Sequence, residues 1–245
     1  MNDIFEISES NKKLGIITRR NTNGEEFELV KKFIDYRKEI FKPTSTKKLA
    51  IFIEPKINLS YPDIVFVEYN PNNYEQWNKS RFKIGSADLK ILYHIYVSNG
   101  IDATNIVTQL GYNWKDVMLS VEKLYDSDLI IRKSQKWCVK NKKSLTVKKI
   151  EAVEAKISKW DEVFQQAIIN RNFASESYAL SKRTINPPKN ALDRFNDFGI
   201  GLYIQNNDGF KMMQEAKKTL IPVSFNSIYF NEWIGRAISL AGRAV

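Results

Sequence analysis

Lys149-Ile-Glu-Ala-Val-Glu-Ala-Lys-Ile157 is the stretch whose reading decides the fold. Ile150, Ala152 and Val153, with Val147 and Ile157 at its flanks, describe a mostly buried β-strand. Glu154 and Lys156 stand two residues apart on it, and a period of two sets both side chains on one face. A carboxylate and an ammonium on a buried face are costly unless they pair or bind something. The plainer alternative is a surface strand with an ion pair of little energetic worth. The rest of the chain decides between the two.

With 245 residues the chain has room for one large domain or two small ones, and a hydrophobic content of 43% is enough to bury a core. Lysine and arginine outnumber aspartate and glutamate by 38 to 28. That net charge of +10 favours an acidic partner, with nucleic acid first and a membrane surface or mere solubility as the alternatives. The single cysteine, Cys138, allows no internal disulfide, and the single histidine, His94, leaves too few soft ligands for a zinc site. Both facts fit a reducing cytoplasm. Met1 to Asn11 is polar and acidic, and no apolar run reaches the roughly 20 residues that span a bilayer, so neither a signal peptide nor a membrane span is expected. Hydrolases built on a serine or cysteine nucleophile usually need a histidine base. His94, among Tyr93, Ile95 and Tyr96 on a helical stretch, reads as a packed residue instead. No GxxxxGKS/T or GxGxxG pattern marks a nucleotide-binding loop.

Upstream of the opening stretch, Leu14 to Thr18 suggests a short strand. Phe27, Val30, Ile34 and Phe41 recur at helical spacing among charged residues, which predicts a helix over residues 25–41. Pro43 and Thr44-Ser-Thr46 end it. Residues 49–54 and 61–69 read as two strands, the second with Pro62 at its beginning, where a missing N–H is tolerated, and Asp63 beside it. Downstream, Ser158 is the expected cap of a helix over residues 159–173, in which Trp160, Val163, Phe164, Ala167 and Ile168 are apolar. Residues 177–181 form a strand, Pro187-Pro188 a break, and residues 191–198 a brief helix. Residues 199–205 are a strand that Asn207-Asp-Gly209 turns back into residues 210–214. Residues 227–245 read as a packed C-terminal helix, with partner docking as the alternative.

A block of different organisation separates the second strand from the opening stretch. Ser86 caps an expected helix over residues 87–98, stopped by Asn99-Gly100. Asp102 caps residues 103–110, ended by Gly111, and Asn113 caps residues 114–125, whose Val117, Val121 and Leu124 face inward. Residues 129–133, a Ser134-Gln135 turn and residues 136–140 complete a β-hairpin. Two helices joined by a tight glycine-containing turn form a helix-turn-helix pattern, and residues 84–143 resemble a winged-helix domain with residues 114–125 in the place of the recognition helix. Between Leu129 and Lys149, the basic residues Arg132, Lys133, Lys136, Lys140, Lys142, Lys143, Lys148 and Lys149 meet no acidic one. A wing this basic suits phosphate contact, a solvated lysine face being the alternative. The DNA-contacting set is Trp114, Lys115, Arg132, Lys133, Lys136 and Lys140.

With that block set aside, the order is helix, strand, strand, strand bearing Glu-x-Lys, helix, strand, which makes an α/β core. Pro62-Asp63 on the second strand and Glu154-Ala-Lys156 on the third resemble the PD-(D/E)xK nuclease superfamily. Gln166-Ala167, Ser177-Tyr-Ala-Leu180 and Gly199-Ile-Gly-Leu202 resemble a trailing pattern of the same superfamily, so the likeness covers roughly residues 25–70 and 147–215. It implies a restriction-endonuclease-like αβββαβ core, residues 1–82 and 144–245, with a winged helix-turn-helix domain, residues 83–143, inserted.

The resemblance further implies Mg²⁺ or Mn²⁺ held by Asp63, Glu154 and the carbonyl of Ala155, hard oxygen ligands of the kind Mg²⁺ prefers. Lys156, with an ammonium pKa easily lowered by partial burial, would orient or deprotonate the attacking water, or steady the pentavalent phosphate. Gln166 would contact DNA or water, or simply pack its helix. A further glutamate is expected from the first helix, Glu28, with Glu54 as a strand-borne rival. The implied function is a Mg²⁺-dependent DNA endonuclease of prokaryotic restriction or defence, acting on double-stranded DNA and dimeric where both strands are cut. A non-catalytic DNA-binding protein or transcription regulator on the same fold, or a subunit serving protein assembly, are the alternatives. All of this requires Asp63 and Glu154, roughly ninety residues apart in the chain, to lie a few ångströms apart in space.

Overall fold

The computed structural model describes residues 3–19, 23–75, 77–145, 147–157, 159–182, 187 and 189–241. In chain order the elements are β1 (Ile4–Ile7), α1 (Glu25–Ile40), β2 (Lys48–Ile53), β3 (Ile64–Tyr69), α2 (Ser86–Val97), α3 (Ala103–Leu110), α4 (Trp114–Asp126), β4 (Ile130–Lys133), β5 (Lys136–Val139), β6 (Lys149–Ala155), α5 (Trp160–Asn170), β7 (Glu176–Lys182), α6 (Lys189–Asp197), β8 (Gly201–Asn206), β9 (Gly209–Gln214) and α7 (Phe225–Ala241). The chain is mixed α/β. It divides into two units, residues 1–70 with 147–223 and residues 71–146 with 224–245. Ser158 and Pro188, read above as a cap and a break, lie outside the described residues.

In the first unit, seven strands among the described residues form one mixed sheet in the order β1-β2-β3-β6-β7-β8-β9. β2, β3 and β6 are antiparallel neighbours, β7 and β8 continue parallel to β6, and β9 turns back. β6 is therefore central, and from Ile150 to Ala155 it is buried without a break, as a strand covered on both faces must be. Val153 and Ala155 face the same core as Leu29, Val30, Phe33 and Ile34 of α1. Val163, Phe164 and Ala167 of α5 and Phe195 of α6 cover Ala179, Leu202 and Ile204 in a second core. The strand expected at residues 14–18 does not form. Gly15, at φ 74, bends the chain there, leaving isolated bridges between Asn11 and Ile16 and between Thr18 and Pro55. Ile4–Ile7 is instead the segment that pairs, in parallel, with β2.

The second unit holds α2, α3, α4, the β4-β5 hairpin and α7. Asp102 and Asn113 cap α3 and α4 as read, each accepting a backbone N–H at 2.9 Å. α2 is capped differently: Ser86 is its first residue, and the Asp88 carboxylate accepts the N–H of Gly85 at 2.8 Å. Ser134 and Gln135 adopt φ 45 and 66, the paired left-handed conformations that let a two-residue turn follow the strand twist. Leu89, Leu92, Ile106, Val117, Val121 and Leu124 form the core, and Ile228 of α7 enters it. Arg81 makes a two-point pair with Glu232, and Arg236 donates to the carbonyls of Ile84 at 2.7 Å and Arg81 at 3.2 Å. The C-terminal helix therefore belongs with this unit, not with the sheet to which the span 144–245 assigned it. Its apolar spacing is visible in the sequence; which of two cores it enters depends on the Arg81 pairing, which spacing does not reveal. Among the described residues no helix is long and apolar enough to cross a membrane.

Candidate active site

Register brings the site together. The β3-β6 ladder pairs Ile64 with Val153 and Val65 with Ala152; continued by one step, it sets Asp63 opposite Glu154. At that step a side chain takes over from the backbone, because the Asp63 carboxylate accepts the N–H of Ala155 at 2.7 Å. The backbone carbonyl of Asp63 accepts the N–H of Glu54 at 3.0 Å, which ties the end of β2 to the same point. The Asp63 and Glu154 carboxyl groups come within hydrogen-bonding reach of each other.

Burial is the main reason that Asp63 is pushed up to about 6; Glu54 and Glu26 add to the effect, while the Ala155 N–H and Lys156 oppose it. Glu154, 3% exposed, is raised well above the ordinary glutamate value, by burial first and by Asp63 second. With Glu154 buried, Asp63 half-buried and the two carboxyls side by side, ionising one disfavours ionising the other. Lys156 moves the other way from expectation. Burial works against its charge, but Glu26, Asp63 and Glu154 outweigh it and raise the ammonium above its usual value. Lys156 is thus a fixed cation at neutral pH, not the lowered-pKa base anticipated from partial burial.

The residues expected around this pair are only partly the ones found. Lys156 Nζ lies 2.8 Å from Oε2 of Glu26, so the first-helix acid is Glu26, whereas Glu28 is exposed and pairs with Lys31 at 3.1 Å. Helical spacing explains the difference: positions 26, 30, 33 and 37 share one stripe of α1, and Val30 and Phe33 on it are buried. Glu54 does join the site. It is 6% exposed, adopts φ 45, and with Arg19, Glu26, Asp63 and Lys156 lines a pocket of about 330 Å³. Gln166 is exposed on α5; the α5 side chain that reaches the site is Asn170, whose Nδ2 donates to Glu154 Oε1 at 2.7 Å. Val163, Ala167 and Asn170 form the buried stripe of that helix, and Gln166 stands off it. Ala155 is fully buried with its N–H committed to Asp63. Glu26, Asn170 and Arg19 escaped the sequence reading, although the first two were accessible by extending each helix's apolar stripe by one turn.

Among the described residues no three acidic, cysteine or histidine side chains are grouped as metal ligands. Asp63 and Glu154 are a group of two. Mg²⁺ is commonly held by one or two carboxylates and otherwise by water and phosphate oxygens, so this pair of hard oxygen donors fits it. No family model, curated protein or solved structure matches this chain.

The residues expected to contact nucleic acid all fall in the second unit. Trp114, Lys115, Arg132, Lys133 and Lys136 are exposed, and the Arg132 guanidinium lies 5.7 Å from the Trp137 ring centre. Lys140 is exposed but engaged, 2.5 Å from Asp128, an acid that lies outside the basic run in sequence and beside it in space. Lys149, counted in the same run, belongs to the first unit and is bound at 2.9 Å to both Glu151 and Glu176. The exposed basic set on the β4-β5 hairpin accordingly narrows to Arg132, Lys133 and Lys136.

Proposed function

We propose that this chain is a Mg²⁺-dependent, or Mn²⁺-dependent, deoxyribonuclease of the PD-(D/E)xK type, with a winged-helix unit that engages DNA and a role in prokaryotic restriction or defence. The observation that carries the reading is the meeting of Asp63 and Glu154 at one end of the β3-β6 ladder with Lys156 beside both. Asp63 and Glu154 would hold the ion, with the Ala155 carbonyl as a further oxygen ligand. Bound there, a divalent ion supplies Lewis acidity toward a phosphate oxygen and an acidified water. Lys156, kept charged and aimed by Glu26, orients the attacking water or steadies the negative charge that builds on the phosphate. Asn170 donates to Glu154 and so keeps one carboxylate oxygen fixed.

The test is cleavage of supercoiled and denatured plasmid DNA under Mg²⁺ or Mn²⁺ by the wild type, Lys156→Ala and Glu154→Gln. Cleavage by the wild type, reduced about 10²- to 10⁴-fold in Lys156→Ala with DNA binding retained, is the expected result. No cleavage by the wild type under either ion, with salt-sensitive binding intact, would instead assign a non-catalytic DNA-binding protein.

A further inference from the structure

The outward face of α4 is unlike that of a helix that reads base edges in a duplex. Val117, Ser120, Val121 and Leu124 are buried, which leaves Trp114, Met118, Leu119 and Tyr125 as its exposed large side chains. Its charged residues are Asp116, Glu122 and Asp126 against Lys115 and Lys123, and Lys123 faces Asp88 at 3.5 Å. Major-groove readout needs donors and acceptors matched to base edges and a surface that tolerates phosphate on either side. An apolar face with more acids than lysines provides neither.

What the face does provide is an aromatic floor with a basic border. Trp114, Met118, Tyr125 and Trp137 line an almost wholly apolar trough of about 560 Å³. A more polar cleft of about 440 Å³ shares Trp114, Met118 and Trp137 and is closed by Asp102 and Thr104 on one side and Arg132 and Lys136 on the other. Trp114 is 52% exposed at the first position of α4, with its indole available for stacking. Unpaired strands are held by this combination, bases stacked on aromatic rings and phosphates tracked by a basic edge. A protein segment docking in the trough would leave Arg132, Lys133 and Lys136 facing solvent along its border without partners; an unpaired strand uses both features.

We propose that the second unit binds unpaired DNA, stacking a base on Trp114 while Arg132, Lys133 and Lys136 hold the adjoining phosphates. This rests on the DNA-directed reading of the chain given above but not on its catalytic part. Substrates with an end, a junction or an opened stretch would then be preferred over continuous duplex.

The test uses the full chain carrying Lys156→Ala, without divalent ions, so that binding is read apart from cleavage. Fluorescence anisotropy is followed with a labelled oligothymidylate, a duplex of equal length and an oligouridylate. The unpaired DNA should bind about tenfold or more tighter than the duplex. Trp114→Ala should weaken it by about tenfold, with Trp114→Phe restoring most of the loss because the stacking ring is kept. Arg132→Ala with Lys136→Ala should flatten the salt dependence of binding. Trp114 is at the surface, and circular dichroism melting of Trp114→Ala should match that of the parent. Equal or tighter binding of the duplex or of the oligouridylate would overturn the proposal, as would an unchanged affinity in Trp114→Ala. A Trp114-dependent dimer in sedimentation that oligothymidylate does not dissociate would also overturn it, assigning the face to a second copy. Loss of unpaired-strand binding with plasmid cleavage intact removes this proposal alone. Binding as expected with no cleavage by the wild type removes only the nuclease reading.

Discussion

Glu151 and Glu154 lie three residues apart on one buried strand, hence on opposite faces of the sheet, and the fold treats them in opposite ways. Glu151 receives a two-point pair from Arg37 and an ammonium contact at 2.9 Å from Lys149. Burial pushes its carboxyl up, but the two cations outweigh this and hold it below the usual range. Lys149 also meets Glu176 at 2.9 Å, and the Tyr178 hydroxyl donates to Glu176 at 3.0 Å. Two buried acids thus meet two cations. Glu154 has an amide from Asn170 and a second acid, Asp63, as its close neighbours, with Lys156 drawn toward Glu26. Burial is common to both glutamates; balance of charge is not. The compensated face is structure, and the undercompensated one is where the proposed function would seat a cation and a phosphate.

The largest effect should come from opening the compensated face. Arg37→Ala leaves Glu151, 1% exposed, with only Lys149 to balance its charge, and it removes a guanidinium stacked 4.6 Å from the Phe66 ring centre. Removing one partner of a buried pair costs about 3–5 kcal/mol, to be read from urea denaturation at neutral pH. Adding Glu151→Gln to that background should recover part of the loss, since the stranded charge is gone. A loss under about 1 kcal/mol, the size of an ordinary substitution, would show that Arg37 is not what balances this side of the strand.

The next effect has the opposite sign. An aspartate raised from 3.8 to about 6 holds its proton in the fold at a pH where the unfolded chain has released it, a difference of roughly 3 kcal/mol at most. The folded state therefore binds more protons between about pH 4 and 6, and this contribution to stability declines as pH rises through 6. Asp63→Asn keeps an oxygen to accept the Ala155 N–H and discards the charge. It should melt higher than the wild type at pH 8, match it near pH 4, and lose any stabilisation by Mn²⁺ that the wild type shows. A lower melting temperature than the wild type at pH 8 would mean that Asp63 is compensated after all, as Glu151 is.

The two faces were unequally legible in the sequence. Glu154, Lys156 and Asp63 were found because an acid or a base in a run of β-branched and apolar residues is conspicuous, and the extended register then made a neighbour of Asp63 across roughly ninety residues. Arg37 and Glu151 were not found as a pair, since a charged residue on a helix reads as solvated until the sheet it faces is known. Two residues stand off the site for different reasons. Glu28 is expected as an acid from the first helix and Gln166 from the trailing pattern and its side of the helix, whereas Glu26 and Asn170 are the residues whose side chains continue, in phase, the buried stripes begun by Val30 with Phe33 and by Val163 with Ala167. The C-terminal helix shows the remaining limit: an amphipathic pattern states that a face will be buried, and a distant pair such as Arg81 with Glu232 decides against what.

The smallest effect tests that phase argument directly. Asn170 is fully buried, and its Nδ2 donates to Glu154 while its Oδ1 has no partner among the described residues. An amide in that position holds one oxygen of Glu154 and adds no charge, so it leaves the imbalance in place while fixing where it points. Asn170→Ala should cost about 1–2 kcal/mol in stability, the loss of a hydrogen bond to a buried carboxyl. It should also weaken Mn²⁺ binding by about tenfold in calorimetry, the usual effect of freeing a ligand from its supporting contact. Gln166→Ala, one turn earlier and off the buried stripe, should change stability by less than about 0.5 kcal/mol and leave Mn²⁺ affinity unaltered. If the two variants behave alike, or Gln166 has the larger effect on the ion, then α5 presents its polar residues to the site by type and not by phase. Asn170 would then only fill the space beneath Glu154 without aiming it.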